Sequence, residues 1–188
     1  MRFYKSVFFV IVLTFLGCNK ARNPFTIELT NLKSLPATID SNGSHKATVL
    51  YFISPECPLC RGYSLGFRKI SESYAGRDVL FLGIVPGNFY SEIEAEQFKV
   101  KYSVPFEIYI DKSMLLTDYL KATVTPEVFL LDASGQIIYS GKIDDWAAAT
   151  GVHKQVITHN YLTDALDSFL KNEPVKLKHT QAVGCFIE

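Results

Sequence analysis

The sequence lacks the features that mark several classes of protein. Lysine plus arginine and aspartate plus glutamate number 19 each among 188 residues, so no excess charge indicates a surface for nucleic acid or for an anionic membrane. Four cysteines are too few for a disulfide scaffold of this length. No internal repeat or low-complexity stretch interrupts the chain. Because 48 % of the residues are hydrophobic, we expect one folded domain with a full core and no nucleic-acid partner.

The apolar run near the N-terminus, residues 7–16, is too short for a membrane-spanning helix, which needs about 20 residues. It follows the basic residues Arg2 and Lys5 and ends at Gly17 and Cys18. A basic start and a short apolar run are typical of a secretory signal peptide. An ordinary signal peptide with an incidental cysteine is one interpretation of this segment.

A small residue followed by cysteine at this place resembles a bacterial lipobox, in which the cysteine becomes the lipidated first residue. The resemblance implies a lipoprotein signal peptide over residues 1–17, lipidation at Cys18 and a short tether over residues 18–24. Acyl chains on Cys18 would hold a folded domain at a membrane. We therefore expect a protein anchored in the bacterial cell envelope and facing the periplasm, where disulfides are permitted.

Strand and helix patterns alternate along the rest of the chain and end in a hairpin and a last helix. The predicted strands cover residues 46–53, 79–85, 106–110, 128–131 and 137–140. The predicted helices cover residues 57–74, 91–102, 112–120 and 154–170. This order indicates an α/β domain over residues 25–171, with a mixed central β-sheet flanked by helices. Residues 172–188 remain as a C-terminal tail.

Cys57 and Cys60 lie where a predicted buried strand gives way to a predicted helix. The first cysteine is then near the helix N-terminus, where free N–H groups and the helix dipole favour a thiolate. Pro58 suits the first helical turn, where no N–H is needed. Cys60 lies one turn on, close enough to form a disulfide with Cys57.

Other uses of this cysteine pair fit the sequence less well. A structural zinc site needs four ligands, and no second pair of cysteines or histidines has zinc spacing. A c-type haem needs histidine directly after the second cysteine, where Arg61 stands. A purely structural disulfide is the remaining alternative. The sequence therefore predicts a redox-active pair, with neither metal nor cofactor.

Residues 25–170 resemble the thioredoxin-like superfamily, and within it the periplasmic redoxins that exchange thiols and disulfides. The resemblance rests on the strand LYFI, the segment SPECPLC, and Thr125–Pro126 before EVFLLDASGQIIYSGKID. It implies a thioredoxin-like fold in which Cys57 and Cys60 are catalytic and form a disulfide through a mixed-disulfide intermediate. It also implies a cis bond at Pro126 and a Thr125 backbone that is free to bind an extended substrate. The implied partners are thiols and disulfides of proteins or small molecules.

The sequence departs from thioredoxin at two positions near the cysteines. Glu56 replaces the tryptophan that precedes the first cysteine, and Tyr51 replaces a buried acid that would accept the proton of the resolving thiol. Glu107 is a candidate substitute for that acid, although a solvent-facing strand residue is an equal interpretation. Since Glu56 should raise the pKa of Cys57 and Arg61 should lower it, no redox potential is predicted.

Two alternative functions belong to relatives with the same fold. In peroxiredoxins a proline and a hydroxyl residue precede the peroxidatic cysteine; Ser54 fits the hydroxyl, but Leu50 replaces the proline. Copper chaperones of this fold use two cysteines and a distal histidine, for which His153 and His159 are candidates. Their motif has three residues between the cysteines, whereas this chain has two.

Cys185, near the C-terminus, is a possible third redox thiol. It is either a small buried apolar residue or a resolving cysteine that reaches the active site. The neighbouring Val183, Phe186 and Ile187 would each gain about 1.5–3 kcal/mol from burial, so we expect the tail to dock on the domain. Docking makes Cys185 reactive only if it packs beside the active-site helix.

Overall fold

The computed structural model describes residues 23–39, 45–149 and 151–188. The helices are α1 (Pro58–Ser73), α2 (Glu92–Lys101), α3 (Leu115–Leu120) and α4 (Tyr161–Leu170). The longer strands are β3 (Ala47–Phe52), β4 (Val79–Pro86), β5 (Glu107–Asp111), β7 (Glu127–Asp132) and β8 (Ile137–Gly141). The short strands are β1 (Leu29–Asn31), β2 (Pro36–Ala37), β6 (Val124–Thr125), β9 (Ala147–Ala149), β10 (Val152–His153) and β11 (Cys185–Phe186).

Seven strands form one mixed sheet in the order β2-β1-β5-β4-β3-β7-β8. The three inner strands β5, β4 and β3 are parallel, and β7 and β8 continue the sheet antiparallel. All six residues of β3 are buried, as expected for a central strand with both faces covered. The predicted α/β class with a mixed sheet flanked by helices is therefore confirmed.

The core divides into two clusters, one on each face of the sheet, because side chains alternate along a strand. On β3, Val49 and Tyr51 belong to the first cluster, which also receives side chains from α1, α2 and α4. Leu50 and Phe52 belong to the second cluster, which α3 and a short 3-10 helix at Pro24–Thr26 cover. Helix α1, which carries the two cysteines, is thus held against the centre of the sheet.

Two helices begin later than predicted. Asp145 accepts hydrogen bonds from the Thr158 and His159 amides at 2.9 and 3.2 Å, and residues 154–160 are not helical. These side-chain contacts just before α4 compete with helix formation. Helix α3 begins only at Leu115, and Asp111 accepts a hydrogen bond from the Thr117 amide in its first turn at 2.7 Å. The predicted starts at residues 154 and 112 were therefore wrong.

Helix α2 begins where the sequence predicts. The Ser91 amide donates to the Glu94 carboxylate at 2.8 Å, and the Glu94 amide donates to the Ser91 hydroxyl at 3.3 Å. These two reciprocal bonds form a capping box at the helix start. Within the described part of the chain, no helix is long and apolar enough to cross a membrane.

The tail runs across the domain as an extended, docked segment. The Thr180 amide donates to the Ser140 carbonyl at 3.0 Å, and the Thr180 and Tyr139 hydroxyls lie 2.7 Å apart. Further on, β11 pairs antiparallel with β6. The predicted docking is confirmed, but the expected burial of Phe186 is wrong, since this side chain is 84 % exposed. Neighbouring side chains of an extended segment point to opposite sides, and Cys185 takes the inner one.

Candidate active site

The turn between β3 and α1 places Cys57 at the start of the helix. Cys57 is the N-cap residue of α1, and Pro58 occupies its first position. The Cys57 amide donates to the Ser54 carbonyl at 3.2 Å, and the Arg61 Nε donates to the Pro55 carbonyl at 3.0 Å. These contacts close the turn and direct the free N–H end of α1 towards Cys57.

The Cys57 thiol is surrounded by other sulfur atoms and by one backbone carbonyl. When Cys57 is protonated, its Sγ donates a hydrogen bond to the Thr125 carbonyl oxygen at 3.0 Å. A hydrogen bond from the Cys60 thiol is the largest influence on its pKa, and with a second one from Cys185 it lowers that pKa to about 5 against the opposing effect of burial. The Cys57 sulfur is therefore stabilised as a thiolate mainly by the other two thiols.

Cys60 has the opposite properties. It is fully buried, and its Sγ accepts a hydrogen bond from the Ser54 amide at 3.4 Å. Burial raises the pKa of the Cys60 thiol, and the neighbouring Cys57 raises it further. Cys57 is only 3 % exposed, but it lines a cavity that Cys60 does not reach within the described structure. A thiolate that lines the cavity thus lies beside a protonated, fully buried thiol.

Thr125 and Pro126 face Cys57 across the site, and the peptide bond between them is cis, as predicted. The Glu127 carboxylate accepts a hydrogen bond from the Thr123 amide at 2.8 Å, which fixes the segment just before them. The expectation that the Thr125 backbone is free was wrong. It pairs with Cys185, because the docked tail lies along this edge.

Cys185 contributes a third thiol at the same place. It is half-buried. Burial, together with the neighbouring Cys57, raises the pKa of Cys185 to about 12, so its thiol stays protonated and donates to the Cys57 thiolate. All three described cysteines are free, and the arrangement corresponds to a reduced site.

A cavity of about 240 Å³ opens beside these groups. It is lined by residues of the active-site turn, the β4–α2 loop and the tail: Ser54, Glu56, Cys57, Pro86, Phe89, Tyr90, Thr125, Cys185, Phe186, Ile187 and Glu188. Phe89 is 79 % exposed and Phe186 is 84 % exposed at its mouth. Neither Pro86 nor Phe89 was a candidate site residue from the sequence, since an exposed aromatic gives no periodic signal.

The position of the missing buried acid carries no ionisable substitute that contacts the cysteines. Tyr51 is fully buried, its hydroxyl has no hydrogen-bond partner among the described residues, and burial raises its pKa. Glu107 instead pairs with Lys99 at 2.7 Å, and its side chain is 68 % exposed. The solvent-facing interpretation of Glu107 is therefore correct.

A buried acid that the sequence did not mark binds a side chain of α1. Asp144 accepts a hydrogen bond from the Tyr63 hydroxyl at 2.7 Å, and burial raises its pKa. The Trp146 ring packs edge-on against Tyr63, with the ring centroids 4.8 Å apart. These contacts hold α1, which carries the cysteines, against the residues that follow β8.

The described residues contain no cluster of histidine, cysteine, aspartate and glutamate arranged to hold a metal ion. The His153 ring stacks on Trp146 at 4.1 Å, and the His159 ring stacks on Tyr161 at 5.6 Å. Neither histidine lines the cavity at Cys57 within the described structure. No observation therefore favours the copper-carrier interpretation.

Comparison with known proteins agrees with this geometry. Residues 24–140 match the AhpC/TSA family, and the chain belongs to that family of thioredoxin-like redoxins. The family supports oxidoreductase activity in general. No curated protein gives a significant sequence match.

Solved structures with similar folds include both uncharacterised proteins and redox proteins. A hypothetical protein from Sinorhizobium meliloti is 23 % identical with a TM-score of 0.75, over 86 % of this chain and 89 % of that one. A secreted disulfide oxidoreductase from Mycobacterium tuberculosis is 17 % identical with a TM-score of 0.53, over 79 % and 97 %. Peroxiredoxin Q from Xanthomonas campestris is 19 % identical with a TM-score of 0.53, over 62 % and 80 %. These likenesses establish the thioredoxin-like fold.

Proposed function

We propose that this protein is a thiol–disulfide oxidoreductase of the bacterial cell envelope, in which Cys57 attacks and Cys60 resolves. One observation carries the proposal: Cys57 lies at the N-terminus of α1 and lines the cavity, whereas Cys60, one turn on, is fully buried. In agreement, the pKa of Cys57 is lowered and that of Cys60 is raised. A pair of thiols with opposite protonation states suits a two-step exchange.

The reaction begins when the Cys57 thiolate attacks a sulfur of the partner's disulfide. A bond forms between the two sulfur atoms, and the partner's other sulfur leaves as a thiolate. Cys57 is then uncharged, so its contribution to the raised pKa of Cys60 disappears. Cys60 transfers its proton to the departing partner thiolate and attacks the Cys57 sulfur. The products are a reduced partner and the Cys57–Cys60 disulfide, and the same steps in reverse oxidise a dithiol.

The cavity beside Cys57 indicates the substrate class. Its lining includes two exposed aromatic rings, Phe89 and Phe186, together with Cys57. Apolar exposed side chains around a reactive group suit an extended segment of a partner protein. The Thr125 backbone would add main-chain hydrogen bonds to such a segment once the tail moves aside.

Trapping of mixed disulfides tests the assignment of the two cysteines. The test uses a Cys185→Ser background, so that only Cys57 and Cys60 are scored. We expect Cys60→Ser to accumulate covalent complexes with a model disulfide-bonded peptide, because the attack still occurs and resolution does not. Cys57→Ser should accumulate none. Complexes that form only with Cys57→Ser would reverse the roles.

Peroxide reduction is the competing activity within the family, and two residues argue against it. Leu50, at the position of the peroxiredoxin proline, is buried within β3 opposite Phe129. The Arg61 Nε already donates a hydrogen bond to the Pro55 carbonyl, so this N–H is not available to bind a peroxide at Cys57. As a control for the trapping experiment, the reduced protein should react with hydrogen peroxide as slowly as an ordinary thiolate. Rapid, saturable consumption of peroxide would contradict the proposed exchange activity.

The envelope location rests on the N-terminal sequence, because residues 1–22 lie outside the described part of the structure. We expect Cys18 to be lipidated, since Gly17 and Cys18 directly follow a short apolar run. The full chain should therefore partition into detergent in a Triton X-114 phase separation, and Cys18→Ala should remain in the aqueous phase. A wild-type chain that stays aqueous and is cleaved elsewhere would contradict this expectation.

A further inference from the structure

The last residues of the chain occupy the edge that faces the nucleophile. Cys185 pairs with Thr125, and Phe186 pairs with Val124, in a short antiparallel ladder. The Ile187 amide extends the ladder with a 3.0 Å bond to the Thr123 carbonyl. The Thr125 carbonyl also accepts a hydrogen bond from the Cys57 thiol. The tail therefore lies where an extended partner segment would have to bind.

Two glycines allow the tail to approach this closely. A Cβ atom added at Gly184 would lie 2.3 Å from the Thr125 carbonyl oxygen. A Cβ added at Gly141 would lie 1.9 Å from the Thr180 carbonyl oxygen, where the tail crosses β8. Any side chain at Gly184 would therefore push the tail away from β6. The fit is between backbones, as in a strand that docks on a sheet edge.

The thiol of Cys185 also has the placement of a reacting group. It lines, together with Cys57, the cavity from which a partner would approach, and the Cys185 backbone pairs with Thr125, whose carbonyl accepts a hydrogen bond from the Cys57 thiol. The remaining tail contacts, from Thr180 to Tyr139 and Ser140, hold the segment on the domain without any covalent bond. The chain thus presents a cysteine to its own nucleophile on an extended strand.

We propose that residues 184–186 are a built-in substrate segment, in which Cys185 takes the position of a partner's reacting cysteine and forms a disulfide with Cys57. The proposal rests on the proposed function of Cys57. Cys185 then has two redox states, the free thiol and the disulfide with Cys57. Because the docked tail occupies Thr125, tail docking and partner binding there exclude each other.

The exchange balances without an added oxidant once a partner disulfide has produced Cys57–Cys60. The Cys185 thiolate attacks the Cys57 sulfur, the Cys57–Cys185 bond forms and the Cys57–Cys60 bond breaks. Cys60 leaves as a thiolate and takes up the proton that Cys185 lost. No electrons are gained or lost overall. Attack by Cys60 on Cys57 reverses the step and frees the tail, which reopens the edge for a partner.

The test uses Cys60→Ser, in which the tail is the nearest remaining thiol. After reduction, the protein is exposed to oxidised glutathione, digested under acidic conditions and analysed by mass spectrometry. We expect the peptide that joins Cys57 to Cys185 to be the main disulfide product. A glutathione adduct on Cys57 with Cys185 left free would overturn the proposal.

A matched pair of glycine variants in the same background tests whether docking is the cause. Gly184→Ala keeps every thiol but displaces the tail, and we expect the Cys57–Cys185 disulfide to form at least about tenfold more slowly. The control is Gly66→Ala, whose added carbon would meet only the Tyr63 ring at an ordinary 3.6 Å, and its rate should be unchanged. Equal rates in the two variants would overturn the proposal.

The experiments separate this inference from the proposed function. The trapping experiment in the Cys185→Ser background contains no tail thiol, so its result concerns Cys57 and Cys60 alone. Trapping there, together with no tail disulfide in Cys60→Ser, overturns the tail inference and leaves the oxidoreductase intact. Failure of trapping overturns the proposed function itself.

Discussion

Alkylation of the reduced protein with iodoacetamide should show Cys57 reacting as a thiolate down to about pH 5. A lowered pKa means that the thiolate is the main form above that pH and is protonated only below it. The rate at Cys57 should therefore change little between pH 8 and pH 6 and fall by half near pH 5. An ordinary thiol, with a pKa near 8.5, loses about 100-fold in rate over the same interval from pH 8 to pH 6.

The shape of this profile is more informative than the absolute rate. Nucleophilicity falls with pKa by about 0.4–0.5 of a logarithmic unit for each unit of pKa. This loss offsets a large part of the gain in thiolate at pH 6, so a merely moderate rate does not contradict a low pKa. Mass spectrometry of the Cys57 peptide, sampled from pH 4 to pH 9, gives the midpoint directly. A midpoint above pH 8 would contradict the geometry of the site.

Two variants identify the source of the low pKa. The hydrogen bond from Cys60 lowers the pKa most, and the one from Cys185 lowers it less. Cys60→Ala should therefore move the midpoint for Cys57 upward by more than Cys185→Ala does. The reverse order would mean that the tail, rather than the resolving thiol, is the main partner of the thiolate.

The parts of the fold that the sequence predicted are those with strong local patterns. Apolar and polar residues do not alternate in the run from Lys46 to Ile53. This run contains the central strand β3, which is buried on both faces. The segment SPECPLC forms the expected turn and helix start. The signals for it, the prolines and the spacing of the cysteines, all lie within a few residues of one another. A site whose residues lie within one turn of the chain can therefore be predicted without the tertiary structure.

The parts that were missed depend on contacts between distant residues. The pairing of Cys185 with Thr125 joins positions 60 apart and involves strands of two residues each, which are too short for a periodic pattern. The tail was expected to dock, but nothing in the sequence marked Gly184, whose missing side chain lets the tail reach the site. The late start of α4 depends on Asp145, which binds residues 13 and 14 positions away. The secondary-structure propensities of short segments carry no information about such contacts.

The side chains packed between α1 and the sheet hold in place the helix that carries the two cysteines. We expect Phe67→Ala to lower the free energy of unfolding by about 3–5 kcal/mol. The Phe67 ring is fully buried, with the Tyr51 ring 4.7 Å away and the Phe106 ring 6.0 Å away. Removing it leaves a cavity between the helix and the sheet that these large rings cannot easily fill. For a domain whose total stability is about 5–15 kcal/mol, this is a large fraction.

Leu65→Ala is the matched control for Phe67→Ala, because Leu65 lies on the same helix but is 48 % exposed. Its loss should stay within about 0.5 kcal/mol. Urea unfolding under reducing conditions, followed by circular dichroism, measures both variants with no disulfide contributing. Similar losses for the two would mean that α1 does not dock through Phe67. With the expected difference, the Cys57 midpoint near pH 5 should persist in Phe67→Ala wherever the protein is folded, since the thiol contacts lie at the other end of the helix.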